Sequence, residues 1–287
     1  MDKIGIILVN YNAYEDTKEC IDSLKGITYP NYDIFVVDND SQDDSPDRLQ
    51  QIKDIHFIKS GRNGGFGYGN NIGIKEALKQ GCQKILLLNN DTTVEPDFLT
   101  ILNEDLEDLR IGIIAPKILN YYDTHKIWAL GGEMNWSLFV AYNSLCDQED
   151  RNQRIKKKVD FISGCCMLIR SEIFESIGYL PEDYFMYFED LDFCLQVSRK
   201  YELWVDSQAV IYHKVSAASG EDSPFQLEWV NRSQIKFMKR YGPQRPKYTQ
   251  HRRQLYLRKW ARITSYLMKF DYSRAHAIYK GIKESRK

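Results

Sequence analysis

Short apolar runs alternate with stretches of helical periodicity through the first 115 residues. Ile4–Asn10 (IGIILVN) is almost continuously apolar, as expected of a strand covered on both faces. In Tyr14–Lys25 the apolar positions Cys20, Ile21 and Leu24 recur at helical spacing, which predicts an amphipathic helix. Tyr32–Asp38 (YDIFVVD) and Ile55–Lys59 predict a second and a shorter third strand, and Lys84–Asn89 (KILLLN) a fourth. Tyr68–Gln80 predicts a helix with Ile72, Ala77 and Leu78 inward. Pro96–Leu109 predicts another, with proline near its first turn, where a missing amide hydrogen is tolerated. Strands and helices alternating at these lengths imply an α/β fold: a doubly wound, mostly parallel sheet with helices on both faces.

The pattern loosens after residue 110. Ile111–Pro116 and Phe161–Arg170 read as strands, and Tyr121–Lys158 as polar, irregular chain with room for a hairpin. Ser171–Ile177 and Glu189–Tyr201 predict helices, Leu203–Tyr212 a bent strand or strand pair, and Pro224–Tyr241 a helix ended by Gly242-Pro243. The chain therefore divides into a domain over 1–242, with halves 1–115 and 116–242, and a basic helical extension over 243–287.

In open α/β sheets, ligands bind beyond the carboxyl ends of the strands. Three strands end there in polar residues: Asn10-Tyr11-Asn12, Asp38-Asn39-Asp40 and Asn89-Asn90-Asp91. One aspartate at a strand end is an ordinary turn residue. Three polar ends on one edge mark a site. Asp91 among amides suits a divalent cation completed by phosphate oxygens and water, or else caps the next helix. Glu189, Asp190 and Asp192 place three acids at a helix start. The dipole favours each by about 0.3–1 kcal/mol, but three so close repel one another. Behind the aromatic run Phe185-Met186-Tyr187-Phe188, a carboxylate suits a general base. His213, just past an apolar run, is either a satisfied histidine or a ligand for an ion of the Mn²⁺ type. The glycine-rich segment Gly61–Gly73 offers amides to phosphate. Its spacing is not GxGxxG and it follows the third strand, which disfavours a dinucleotide fold. Trp128 and Trp136, around Gly131-Gly132, offer a sugar-stacking surface or are simply buried.

Charge changes the picture at the C-terminus. The net charge is −1, yet residues 243–287 hold 13 Lys/Arg against 2 Asp/Glu, leaving 26 basic and 38 acidic groups in the other 242 residues. The near-neutral total argues against nucleic acid as a partner, and binding of nucleic acid by the basic tail stays open only as a third reading. The tail interleaves Tyr256, Leu257, Trp260, Ile263, Tyr266, Leu267, Met268 and Phe270 with basic residues. It suits an anionic membrane surface, the body of the protein, or a second subunit in a homodimer. No apolar run reaches the roughly 18–20 residues of a membrane span. The strand-like start has no basic n-region, and six cysteines lack CxxC spacing. These features lead to the expectation of a cytoplasmic protein with reduced thiols, at most peripheral on the inner face of the plasma membrane.

Val9-Asn10-Tyr11-Asn12, Val37-Asp38 with Ser41, Asn63 with Gly65-Phe66, Asn71 with Gly73, Leu87 to Asp91, Ser163-Gly164, Phe185 to Asp192 and His213-Lys214 occur in an order that resembles family-2 glycosyltransferases of the GT-A fold, within their bacterial rhamnosyltransferase-like branch. The resemblance covers about residues 3–240. It implies a nucleotide-binding half over 1–115 and an acceptor and catalytic half over 116–242. By resemblance, Asp38 contacts the base or ribose of a nucleotide sugar, beside a wall of Val9, Asn10 and Asn12. Asn63, Gly65, Phe66 and Asn71, with Asn89 and Asn90, line the same donor site. Asp91 is the metal-binding aspartate of the family's DXD motif, whose first aspartate is here Asn89, so His213 gains weight as the second ligand for Mn²⁺ or Mg²⁺. Asp190 is the general base, with Glu189 and Asp192 orienting it or holding the acceptor. Arg232 stands where the family has an Arg-Asn pair and would meet phosphate, although Ser233 replaces the asparagine.

The implied activity is inverting transfer from dTDP-rhamnose or a UDP-sugar to a growing, lipid-linked saccharide of a bacterial surface polymer. Two other readings stay open: a catalytically inactive sugar-nucleotide binding or scaffold protein, and a nucleotidyltransferase. The second would need a basic, glycine-rich loop where this chain has Asn10-Tyr11-Asn12-Ala13-Tyr14.

Overall fold

The computed structural model describes residues 1–215 and 222–285. In chain order the elements are β1 (Ile4–Asn10), α1 (Tyr14–Leu24), β2 (Tyr32–Asp38), α2 (Ser45–Leu49), β3 (His56–Lys59), α3 (Phe66–Lys79), β4 (Lys84–Leu88), β5 (Thr92–Val94), α4 (Phe98–Asp105), β6 (Ile111–Asn120), β7 (Ile127–Ala129), β8 (Gly132–Asn135), β9 (Val140–Asn143), β10 (Lys156–Lys158), β11 (Cys166–Arg170), α5 (Glu172–Ser176), α6 (Glu189–Val197), β12 (Glu202–His213) and α7 (Pro224–Tyr241). A 3-10 turn (Gly242–Gln244), α8 (Tyr248–Met268) and α9 (Tyr272–Glu284) follow.

The main sheet runs β10-β12-β6-β11-β4-β1-β2-β3, with β5 on β12 and β7 on β6, while β8 and β9 form a separate hairpin. Strands β3, β2, β1 and β4 are mutually parallel. β11 lies antiparallel between β4 and β6. Both faces are covered, which explains the unbroken apolar strands. Ile4, Ile6 and Leu8 pack under Cys20, Ile21 and Leu24 of α1 and Phe98, Leu99 and Leu102 of α4. Ile7 points the other way, into a core shared with α3, α6 and α7. The close approach of α3 needs glycine: a Cβ on Gly73 would lie 2.5 Å from Ile7 Cγ2. The side chains α3 buries here are Ile74 and Ala77, whereas Ile72 and Leu78 are half-buried.

Several elements depart from the sequence reading: β6 runs past Pro116 to Asn120, and α6 ends at Val197, short of Tyr201. α4 stops at Asp105, short of Leu109, because Arg170 donates to the carbonyls of Leu106 and Asp108 beyond it. β11 begins at Cys166 and not Phe161, because the chain before it leaves the sheet to face α6. Leu203–Tyr212 is one strand, pairing with β6 on both sides of an irregularity between Asp206 and Val210.

The basic extension packs on the body. Ser223 Oγ caps α7 by accepting from the Gln226 amide, with Pro224 in the first turn. Leu255 and Ile263 of α8 and Ala275, Ile278 and Ile282 of α9 join the core that contains Phe237 and Met238 of α7. All six cysteines are free, five of them buried. Among the described residues, no helix is long and apolar enough to cross a membrane.

Candidate active site

The strand ends are joined by hydrogen bonds. Asn10 Nδ2 donates to Asp38 Oδ1 at 2.9 Å, Thr17 Oγ1 donates to Asn10 Oδ1 at 2.8 Å, and Asn90 Nδ2 donates to Thr17 Oγ1 at 2.8 Å. Asp38 also accepts from the Ser41 amide at 3.0 Å and the Ser41 hydroxyl at 2.7 Å. The Asn12 side-chain oxygen accepts from the Gln42 amide, at a residue with φ +51°. β1, β2 and β4 thus present one braced edge, with Val9 packed against Gly69 of α3. Thr17 and Ser41 hold this edge together. Nothing in a threonine within a helical pattern signals such a role.

Asp91 follows β4, and His213 ends β12. The pairing of β5 with β12 sets His213 opposite Thr92, and this brings Asp91 Oδ1 to 3.1 Å from His213 Nε2. Asn89 Nδ2 lies 3.5 Å from the same ring nitrogen. Asp91 Oδ1 is buried and receives no hydrogen bond. An anionic oxygen and an imidazole nitrogen this close are a donor set that fits a divalent ion of the Mn²⁺ or Mg²⁺ kind. Among the described residues no third histidine, cysteine or acid joins them. Water and a phosphate ligand would complete the shell, as is usual for Mg²⁺.

Across the cleft, α6 starts at Glu189 after two residues in the left-handed region, Tyr187 at φ +67° and Phe188 at φ +74°. Such backbone is costly outside glycine and asparagine, and it concentrates at functional sites. The turn puts Asp190 where Gly164 N donates to Oδ2 at 3.0 Å, and Leu191 N donates to Oδ1 at 2.7 Å. A Cβ on Gly164 would meet the Phe66 ring at 2.9 Å, so the amide reaches Asp190 only from a glycine. Burial raises the Asp190 carboxyl above its ordinary range, and the two amides oppose that rise. Burial and the Asp190 charge raise Glu189 much further. Its Oε2 is buried without a partner. Two carboxyls sharing one buried site disfavour being ionised together, and the two amides on Asp190 favour charge on that residue.

Asp91, His213, Glu189 and Asp190 line one cleft of 630 Å³. Phe66 and Trp128 form part of its wall, and the Trp128 ring meets His213 edge-on at 4.6 Å. Trp136 lies elsewhere, stacked on Phe237 with Arg245 over its ring. Tyr142 of the β8–β9 hairpin also faces the cleft, and the irregular sequence around it gave no sign of this.

Several expected site residues sit elsewhere. Asp192 is fully buried and accepts from Tyr184, Tyr241, Gln196 and Arg240, so it cannot hold an acceptor. Asn71 is buried and ties α3 to Leu180 and Glu182. Two amides of the glycine-rich segment are already bonded: Gly65 N to Asn63 Oδ1, and Phe66 N to the Phe185 carbonyl. Gly65, at φ +88°, admits no Cβ, which would fall 1.9 Å from that carbonyl oxygen. Asn63 and Arg232 line a second cavity of 540 Å³ together with Arg62. Arg232 there lies 4.8 Å over the Trp229 ring.

Comparison with solved structures shows the fold. The fold matches a mannosyltransferase of Pyrobaculum calidifontis solved with GDP-mannose and Mn²⁺, with TM-score 0.64 and 12% identity over 99% of this chain and 87% of that one. The chain has the GT-A fold. Residues 5–178 match the glycosyl transferase family 2 domain, and the chain belongs to that family. Among its relatives are a low-salt glycan biosynthesis hexosyltransferase of Haloferax volcanii, 32% identical over 70% of this chain, and a dTDP-rhamnosyl transferase of Shigella flexneri, 24% identical over 67%. These matches span 63% and 62% of the relatives' own lengths. An N-acetylglucosaminyl-diphospho-decaprenol L-rhamnosyltransferase of Mycobacterium tuberculosis is 23% identical over 83% of this chain and 84% of its own length.

Proposed function

We propose that this chain is an inverting, metal-dependent glycosyltransferase that uses Asp190 as general base. The observation that carries the reading is the single cleft with Asp190, fixed by two amides, on one side and the Asp91–His213 pair on the other. The acceptor hydroxyl gives its proton to Asp190 as its oxygen bonds to the anomeric carbon. The bond from that carbon to the nucleoside diphosphate breaks on the opposite face, which inverts the configuration. A Mn²⁺ or Mg²⁺ ion held by Asp91 and His213 would neutralise charge on the departing diphosphate. Burial and the Asp190 charge hold the Glu189 carboxyl well above its ordinary range, which favours a single charge on the pair, and the two amides place it on Asp190. Phe66, Trp128, Phe161 and Tyr187 line the cleft around these groups.

For the donor, rhamnosyltransferases among the relatives favour dTDP-rhamnose, with UDP-hexoses next. For the acceptor, the relative acting on a decaprenol-linked saccharide supports a lipid-carried glycan of the cell envelope. The basic extension supports work at an anionic membrane surface.

A thermal-shift screen of nucleoside diphosphate sugars, with and without Mn²⁺, tests the reading, since a ligand that binds the native state raises the melting temperature. A Mn²⁺-dependent shift by dTDP- or UDP-sugars is expected, followed by transfer to a synthetic prenyl-diphosphate saccharide. Binding without any transfer, also in the presence of Mn²⁺, would leave a sugar-nucleotide binding protein and overturn the proposal.

A further inference from the structure

The C-terminal helix pair carries a second apolar face that the fold leaves outside. α8 buries Leu255, Lys259 and Ile263, four residues apart, against the body. On its opposite side Leu257, Trp260 and Leu267, with Thr264 between them, share one stripe, because their spacings of three and four residues follow the helical turn. These three large side chains are 59%, 47% and 44% exposed. The stripe continues across the turn, where Met268 at the end of α8, Phe270, and Tyr272 at the start of α9 are 71%, 78% and 63% exposed. A surface helix ordinarily turns polar residues outward. This one turns apolar residues both ways.

Phe270 sharpens the point. It sits just past the end of α8 at φ +57°, with its amide bonded to the Leu267 carbonyl and the next amide bonded to Tyr266. Glycine or asparagine is the usual residue at such a helix end. Phenylalanine here accepts an unfavourable backbone and gains almost no burial in return. A local rule broken without folding benefit points to a use outside the fold.

Charge selects the occupant. The extension holds 13 basic residues and two acids, of which Asp271 already pairs with Arg274. A second copy docking on this face would bring like charge against like charge. Nucleic acid would satisfy the charge and leave the apolar side chains wet. An anionic bilayer meets both, taking apolar groups into the headgroup boundary and basic groups at the phosphates.

We propose that the α8–α9 turn inserts into an anionic membrane surface, with Leu267, Met268, Phe270 and Tyr272 entering the interface and Arg253, Arg258 and Lys269 on lipid phosphate. This rests on, and deepens, the placement of the enzyme at such a surface. The test is co-sedimentation of the full chain with vesicles of phosphatidylcholine, with and without phosphatidylglycerol. Wild type is expected on the anionic vesicles, still partly bound in high salt. The Met268→Ser/Phe270→Gly double variant should lose about tenfold in partitioning, with a melting temperature no lower than wild type, because glycine suits the left-handed position, and with unchanged transfer to a water-soluble acceptor. Equal partitioning of the variant would overturn the insertion while leaving charge-driven attachment standing. Conversion of a wild-type dimer to a monomer by the variant would overturn it in favour of a second copy. If wild type ignores anionic vesicles, both the insertion and the membrane placement fall.

Discussion

Asp192 Oδ1 accepts the Tyr241 hydroxyl at 2.5 Å and so fastens the helix of the proposed base to the last turn of α7. The other oxygen takes Tyr184 at 2.9 Å and Arg240 at 2.6 Å. Burial, reinforced by the Asp192 charge, pushes both tyrosine hydroxyls up, so they remain donors at any physiological pH. Removing one partner of such a buried ionic network strands the others. Asp192→Ala should therefore cost about 3–5 kcal/mol in urea unfolding. Tyr241→Phe, which removes one hydrogen bond to a charged group, should cost about 1.5–3 kcal/mol. A loss below 1 kcal/mol for Asp192→Ala, on the order of an ordinary surface substitution, would show that this junction does not hold α6.

Asp190 is expected to behave differently. Its substitution by asparagine keeps the shape but puts an NH2 in place of one of the two oxygens that accept from Gly164 N and Leu191 N, so one amide contact is lost and stability should fall by about 1–3 kcal/mol without unfolding the protein. Transfer should fall by about 10²–10⁴ in kcat, with donor affinity retained by calorimetry. Because burial raises its carboxyl, the acid limb of the wild-type kcat/KM profile should lie above the ordinary carboxylate range. Activity is lost as pH falls through that limb and Asp190 gains its proton. An Asp190→Asn enzyme with wild-type kcat would remove Asp190 from the chemistry.

The contrast between Asp190 and Asp192 shows what the sequence could and could not carry. Residues two apart on a helix do not face each other, so an acidic triplet at a helix start cannot all look into one cleft. Helical spacing alone would have separated them. The parallel strands β1, β2 and β4 were legible because burial on both faces leaves an unbroken apolar run. The start of β11 was not, because Gly164 leaves the sheet for Asp190, a contact between residues 26 positions apart. Asn71 and Asn63 read as ligand-binding amides, yet they stitch loops together, and an asparagine looks the same in either use. The packing of α8 and α9 on α7 likewise depends on which of two apolar stripes turns inward.

The Asp91–His213 pair predicts a defined metal response. With two protein donors and no third among the described residues, the ion should bind weakly alone and firmly with a nucleoside diphosphate. Mn²⁺ and UDP or dTDP together should raise the melting temperature more than the sum of their separate effects. Asp91→Asn and His213→Ala should each abolish this synergy while leaving the metal-free melting temperature within a few degrees. Persistence of the synergy in both variants would place the ion elsewhere.

Glu189 makes the sharpest prediction about stability and pH. Burial and the neighbouring Asp190 charge hold its folded-state carboxyl well above the ordinary value, so the native state keeps a proton that the unfolded chain releases. Stability therefore falls as pH rises from the ordinary carboxyl range, near 4.3, toward the raised folded value, because the native state binds more protons across that window. Glu189→Gln mimics the protonated form and has no proton to lose. Wild type and variant should be similarly stable near pH 4, and the variant should gain on the wild type as pH rises to 8 in chemical unfolding. The same substitution should preserve most of kcat, whereas Glu189→Ala, which opens space beside the base, should not. Parallel stability profiles for wild type and Glu189→Gln across this range would mean that Glu189 is ionised in the native protein.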